Sequence, residues 1–132
     1  MTNYVIDAYA WIEYFEGSEE GEKVKEIIED RKNEIFTCSV TVSEIISKFI
    51  RSGKDKDIAV KAIRAFSKII SADDEICIRT GQLHAEIKRK IKDFGLADAF
   101  VLATSNKFGA KILTGDSHFK DFKEAILINE DN

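Results

Sequence analysis

Three aspartates stand at positions where a protein chain can build a metal site. Asp7 ends a short run of strand-forming residues, Asp116 follows another such run at 111–114, and Asp98 begins an apolar helical segment at 98–108. In an open α/β sheet these junctions lie at the edge where ligands bind. Carboxylates gathered there raise one another's pKa unless a cation lies between them. The pattern therefore favours a site for a hard divalent ion such as Mg²⁺ or Mn²⁺.

Each of these carboxylates also has a purely structural interpretation. Asp7 and Asp98 could cap the helices that follow them, and Asp116 could close a turn. For any one of the three alone, that role is the more common one. Glu44 lies opposite the apolar stripe of a predicted helix at 42–50, so helical periodicity by itself predicts a solvated surface residue.

The elements that position these residues alternate between strands and helices. Strands are predicted at 3–7, 34–38, 111–114 and 125–128. Apolar residues recur at helical spacing in six segments, around 8–15, 19–31, 42–50, 59–69, 83–94 and 98–108. This alternation predicts an α/β fold with a mostly parallel sheet of four or five short strands and six or seven helices on its two faces. We expect residues 1–132 to form a single domain.

Composition narrows the class of protein. Apolar residues make up 44% and charged residues 33% of the chain, which argues against disorder, and no apolar run is long enough to span a membrane. The net charge of −4 gives no global attraction for nucleic acid. Cys38 and Cys77 are too few for a disulfide framework and are predicted to be free, buried thiols. With no signal peptide, a cytoplasmic location is expected.

The two histidines do not suggest a nucleophilic triad. His84 adjoins the apolar stripe of Leu83 and Ile87, so we interpret it as structural. His118 follows Asp116 closely and is expected at the surface of a loop, although contact with a substrate is an alternative. No glycine-rich phosphate loop or dinucleotide-binding motif is present.

Four segments carry a resemblance to a known family. They are V-I-D-A-Y-A-W-I-E-Y-F (5–15), V-S-E-I (42–45), L-A-D-A-F-V-L-A-T-S (96–105) and I-L-T-G-D-S-H-F (112–119). In order and spacing they resemble the four acidic motifs of PIN domains over essentially the whole chain. The closest group is the small prokaryotic VapC-type toxins of toxin–antitoxin pairs.

The resemblance implies a three-layer α/β/α fold and a metal-dependent ribonuclease. The four acids of the family correspond to Asp7, Glu44, Asp98 and Asp116, which would hold Mg²⁺ or Mn²⁺, and its small hydroxyl residue corresponds to Thr114. The chain departs from the family in two places. After Asp7, where a serine or threonine is common, only Tyr9 bears a hydroxyl, and Ser117 and His118 replace a further acid after Asp116.

The same resemblance suggests partners. A homodimer is expected, since Trp11, Tyr14, Phe15 and the segments 42–50 and 58–70 supply more apolar side chains than one core face needs. A VapB-type antitoxin could place an arginine among the acids in place of the cation.

Lys48 and Arg51 follow Glu44 on the same side of its helix. If Glu44 faces a cleft, these two residues are placed to meet RNA phosphates.

Two alternatives to a ribonuclease remain. One is a PIN-like module that binds RNA or a partner without cutting. The other is a phosphatase with an acidic site, which would need a second acid two residues after Asp7, where Tyr9 stands.

Overall fold

A sheet of five parallel strands forms the centre of the molecule in a computed structural model that describes residues 2–129. The strands are β1 (Asn3–Ile6), β2 (Glu34–Cys38), β3 (Lys68–Ile70), β4 (Lys111–Thr114) and β5 (Ala125–Leu127). Their order in the sheet is β3-β2-β1-β4-β5, and every neighbouring pair is parallel. The predicted α/β architecture is confirmed.

Helices cover both faces of this sheet. Within residues 2–129 they are α1 (Ala8–Glu16), α2 (Glu19–Ile28), α3 (Ser39–Arg51), α4 (Lys56–Phe66), α5 (Asp74–Ile87) and α6 (Leu96–Phe108), with a short 3₁₀ helix at Ser117–Phe119. In this part of the chain no helix is both long and apolar enough to cross a membrane.

The strands bury side chains on both faces, as expected for a parallel sheet covered by helices. Val5 and Ile112 point into a core shared with α5 and α6, while their neighbours Ile6 and Leu113 point into a core shared with α1 to α4. All four side chains are fully buried. This alternation is what makes the molecule an α/β/α sandwich.

Two predicted helices end earlier than their apolar periodicity suggests. Ile69 was placed on the helix that begins near Ala59, but α4 ends at Phe66 and Ile69 lies in β3. Ser67 adopts an extended backbone there, and β3 pairs with β2. Helix α5 ends at Ile87, and Phe94 is nevertheless fully buried because the turns after the helix fold back onto the core.

The prediction of two buried thiols is half wrong. Cys38 is buried at the end of β2, whereas Cys77 is exposed. The buried side of α5 carries Ile76, Thr80 and Leu83. Cys77 lies next to this side on the helical wheel, so its apolar sequence neighbours do not cover it.

The topology changes direction between β1 and β4. From β1 the chain adds β2 and β3 on one side, then returns to add β4 and β5 on the other. Such a switch point leaves a crevice at the carboxyl ends of the two strands, where open α/β sheets bind ligands. Asp7 follows β1 and Asp116 follows β4, so both lie at this crevice.

Candidate active site

Asp7 is the most deeply buried of the predicted acids, with 6% of its surface exposed. It is the N-cap of α1, because Oδ1 accepts a hydrogen bond of 2.9 Å from the backbone N–H of Ala10. Its Oδ2 accepts a hydrogen bond from the Thr114 hydroxyl. Burial, assisted by the charges of Asp116 and Asp98, raises the pKa of Asp7 to about 7 despite these two hydrogen bonds. The capping role and the site role coexist in this residue.

The Thr114 hydroxyl joins β1 to the loop after β4. Besides donating to Asp7, Oγ1 accepts a hydrogen bond of 2.9 Å from the backbone N–H of Asp116. Thr114 is completely buried. This one hydroxyl therefore holds the backbone of Asp116 in a fixed position relative to the Asp7 carboxylate.

Gly115 allows the ring of Tyr9 to lie against this loop. A Cβ atom at Gly115 would lie 2.6 Å from Cζ of Tyr9, which is too close for any larger residue without movement of the ring. The Tyr9 hydroxyl lies 3.3 Å from Glu20 on α2. The Tyr9 hydroxyl therefore contacts Glu20 and does not take the place of the serine or threonine that is common after the first aspartate in PIN domains.

Asp98 and Asp116 both approach the same nitrogen of the His118 imidazole ring. Nδ1 of His118 lies 3.3 Å from Asp98 Oδ2 and 3.3 Å from Asp116 Oδ1. One donor atom from each of the three residues lies within 4.8 Å of the other two. The carboxylates also hold backbone: Asp98 accepts from the N–H of Gly95 at 3.2 Å, and Asp116 accepts from the N–H of His118 at 2.9 Å.

His118 is not the loop-surface residue that the sequence suggested. It is partly buried, and its Nε2 lies 3.0 Å from the exposed carboxylate of Asp93. The hydrogen bond with Asp93 raises the pKa of His118, and the carboxylates of Asp98 and Asp116 add to this effect. The 3₁₀ turn at Ser117–Phe119, anchored by fully buried Phe119, brings the ring back over the acids.

Loss of hydration and neighbouring charge act on two further acids of the site, Asp98 and Glu44. Partial burial raises the pKa of Asp98, and the negative charge of Asp116 raises it further. Loss of hydration and the charge of Asp98 likewise raise the pKa of Glu44. Glu44 is exposed, as periodicity predicted, yet it lies near enough to Asp98 to sense its charge.

Glu44 opens onto a groove of about 750 Å³ between α1 and α3. Lys48 and Arg51 line the α3 side of this groove, and Glu13 and Glu16 line the α1 side. One wall of the groove is therefore basic and the other is acidic. Glu44, Lys48 and Arg51 thus line one groove, and a role of Lys48 and Arg51 toward RNA phosphates stays a prediction.

The donor set fits a divalent cation. Asp98 and Asp116 bring carboxylate oxygens close together, and Asp7 and Glu44 both lie near enough to Asp98 to interact with its charge. Oxygen donors suit Mg²⁺ and Mn²⁺. Loss of hydration, and secondarily the charges of neighbouring acids, raise the pKa of Asp7, Asp98 and Glu44. The sequence did not indicate Asp93, and it favoured a loop-surface role for His118 over a role at the site. The two-residue spacing from Asp116 to His118 is the signal that could have found the latter.

Comparison with known proteins places the chain in a family. The family model described as PIN domain matches residues 4–125, which is nearly the whole chain. The chain belongs to the PIN domain family. No curated protein matches it.

Solved structures share its fold. A chain of a toxin–antitoxin complex from Klebsiella pneumoniae superposes with a TM-score of 0.75 at 20% identity, covering 97% of this chain and 99% of that one. A chain of VapBC2 from Rickettsia felis, bound to a DNA fragment from its promoter, superposes with a TM-score of 0.76 at 18% identity, covering 98% of this chain and 100% of that one. Mycobacterium tuberculosis VapC20, described as a sarcin–ricin loop cleaving toxin, superposes with a TM-score of 0.71 at 15% identity, covering 89% of this chain and 92% of that one.

Proposed function

We propose that this chain is a metal-dependent endoribonuclease and the toxin of a toxin–antitoxin pair, formed by one domain over residues 1–132. The observation that carries the proposal is the convergence of Asp7, Asp98 and Asp116 at the switch point of a PIN-family sheet. Membership of the family supports nuclease activity, and the structural neighbours described as toxins support the toxin role.

We assign distinct roles to the acids. Asp98 and Asp116 would hold Mg²⁺ or Mn²⁺, and Glu44, which interacts electrostatically with Asp98, would add negative charge to the ion's surroundings. Asp7 adds negative charge to the site, and Thr114 fixes the Asp7 carboxylate relative to the Asp116 backbone. The bound ion supplies Lewis acidity, offsetting charge on the scissile phosphate and favouring deprotonation of a water nucleophile. The carboxylates orient that water by accepting its hydrogen bonds.

RNA is the proposed substrate. Glu44 lines the groove between α1 and α3, and Lys48 and Arg51 on its α3 side can neutralise backbone phosphates. VapC20, which shares the fold, is described as cleaving the sarcin–ricin loop.

The proposed partners are an antitoxin and a second copy of the chain, in the cytoplasm. Proteins with a similar fold occur in complexes described as toxin–antitoxin and VapBC assemblies. An acidic cluster of this kind suits an arginine of a VapB-type antitoxin, which would pair with the carboxylates in place of the cation.

The decisive test measures RNA cleavage by the purified chain. We expect Mg²⁺ or Mn²⁺ to support cleavage, EDTA to abolish it, and Asp7→Asn and Asp98→Asn to reduce it by at least about 100-fold while leaving the circular dichroism spectrum unchanged. Asp57→Asn, at an exposed carboxylate paired with Lys56, is the control and should retain full activity. Undiminished cleavage in EDTA, or by both site variants, would exclude the proposed mechanism. Folded protein that binds RNA and never cuts it would favour a binding module.

A second test uses stability. Because burial and neighbouring charge raise the pKa of Asp98, Asp98→Asn should be neutral or slightly stabilising in metal-free protein. Added Mg²⁺ should raise the melting temperature of the wild type more than that of the variant. If Asp98 served only to cap α6, asparagine would substitute for it and Mg²⁺ would shift both proteins equally.

A further inference from the structure

We infer that His118 is itself a metal ligand through Nδ1, oriented by Asp93, and that it makes this site favour transition-metal ions over Mg²⁺. The inference rests on the proposed metal site and specifies its coordination and its selectivity.

The three donor atoms are arranged as ligands of one ion would be. Nδ1 of His118 lies 3.3 Å from an oxygen of Asp98 and 3.3 Å from an oxygen of Asp116. Adjacent ligands of an octahedral ion with bonds of about 2.1 Å stand about 3 Å apart. A cation that replaces the Nδ1 proton therefore meets all three donors with little movement of the side chains.

Asp93 supplies the partner that a ligating histidine needs. Its carboxylate lies 3.0 Å from Nε2, on the opposite side of the ring from Asp98 and Asp116, and accepts the Nε2 proton. Metal-bound histidines usually donate their second N–H to a carboxylate or carbonyl in this way, which fixes the tautomer and the ring orientation. Asp93 is 81% exposed at its side chain, so it orients His118 from the solvent side. Asp93 is accordingly a positioning residue.

The nitrogen donor changes which ion the site prefers. Mg²⁺ favours oxygen ligands alone, whereas imidazole nitrogen binds first-row transition ions well. Carboxylates by themselves would give a site with little discrimination between Mg²⁺ and Mn²⁺. With one nitrogen ligand among the oxygens, this site binds Mn²⁺ and the later first-row transition ions more tightly than Mg²⁺.

The experiment uses Mn²⁺ and Mg²⁺ on the untagged full chain. Calorimetry gives the two affinities, and pulsed electron paramagnetic resonance detects ¹⁴N coupling to bound Mn²⁺. We expect this coupling in the wild type and its loss in His118→Ala and His118→Asn, with Mn²⁺ affinity falling at least about tenfold and Mg²⁺ affinity changing less. Asp93→Asn should weaken Mn²⁺ binding while keeping the coupling. His84→Gln, at the other histidine, is the matched control and should leave both readouts unchanged.

Two results would overturn the inference. One is Mn²⁺ bound to the wild type without ¹⁴N coupling, and the other is equal or tighter Mn²⁺ binding by His118→Ala, since either means that the ring only balances charge. His118→Asn keeps a side chain of similar reach, so loss of binding through misfolding of the alanine variant is recognised. Metal-dependent cleavage by a wild type lacking the coupling would reject His118 as a ligand and leave the proposed function standing. Absence of Mn²⁺ and Mg²⁺ binding would reject both.

Discussion

Asp7 holds a carboxylate in a place that water scarcely reaches, and its protonation therefore contributes to folding stability. Its pKa is 3.8 without the fold and about 7 within it. A raised carboxyl pKa means that the native state binds the proton more tightly than the unfolded chain does. The contribution of this proton to the free energy of unfolding is fully present below about pH 4 and is lost as the pH rises to about 7. It amounts to about 1.4 kcal/mol for each unit of difference between the two pKa values.

We predict that the free energy of unfolding of metal-free protein decreases between pH 4 and pH 7, and that Asp7→Asn removes most of this decrease. Asparagine resembles the protonated acid and still caps α1. Urea denaturation at several pH values in EDTA measures the effect. Asp57→Asn provides a comparison at an exposed carboxylate. A variant whose pH dependence matches that of the wild type would show that Asp7 is not the responsible group.

At the scale of elements, the contact between α1 and α2 depends on one glycine. A Cβ atom at Gly21 would lie 2.6 Å from the backbone carbonyl carbon of Glu13, so the two helices approach too closely for a side chain. Backbone atoms cannot rotate away as a side chain does. Asp7 is the N-cap of α1, and its position is therefore tied to this contact between the helices.

We predict that Gly21→Ala destabilises the protein by about 1–3 kcal/mol, the usual cost of overpacking a tight contact. Gly81→Ala is the matched control, since Gly81 is exposed within α5 and a Cβ there meets nothing within 4 Å. That variant should stabilise by about 0.5–1 kcal/mol through helix propensity. Urea denaturation of both variants checks the pair, and equal effects of the two substitutions would contradict the packing argument.

The groove between α1 and α3 gives a second prediction at this scale. In an Asp98→Asn background that does not cut RNA, Lys48→Ala and Arg51→Ala should each weaken binding of single-stranded RNA and reduce the salt slope by about 0.7. Filter binding at several salt concentrations measures this slope. Lys61→Ala, at an exposed lysine of α4, should behave like the parent. Equal slopes in all variants would place the RNA elsewhere.

At the scale of the whole molecule, the apolar surface differs from the one that the sequence suggested. Trp11 is fully buried, its indole N–H donating to Thr37 at 3.1 Å, and Tyr14 and Phe15 pack against the same core. Large apolar side chains do remain exposed within the predicted segments 42–50 and 58–70, at Ile50, Ile58 and Ile69, and also outside them, at Ile78 and Leu96.

We predict that these exposed side chains are covered in a homodimer. Light scattering coupled to size-exclusion chromatography should give twice the mass of the 14.9 kDa chain at micromolar concentration. A mass of one chain at high micromolar concentration would contradict the dimer and leave the nuclease proposal intact.

The sequence by itself determined the alternation of strands and helices, because side-chain periodicity is a local property. It also determined that Asp7, Asp98 and Asp116 stand at element junctions. Since parallel strands all end at one edge of the sheet, the meeting of these acids followed from that pattern. The four motifs, taken together, were enough to indicate the family.

Only the tertiary structure decided how the acids are arranged. Strand order placed β4 beside β1, which brought Thr114 into hydrogen-bonding distance of Asp7, 107 positions away in the chain. The buried anchor of Phe119 turned His118 toward the carboxylates, and Asp93 met it from another loop. Periodicity reports which side of its own element a residue occupies. It carries no information on which other elements pack against that side, and this packing determines both the burial of Asp7 and the partners of His118.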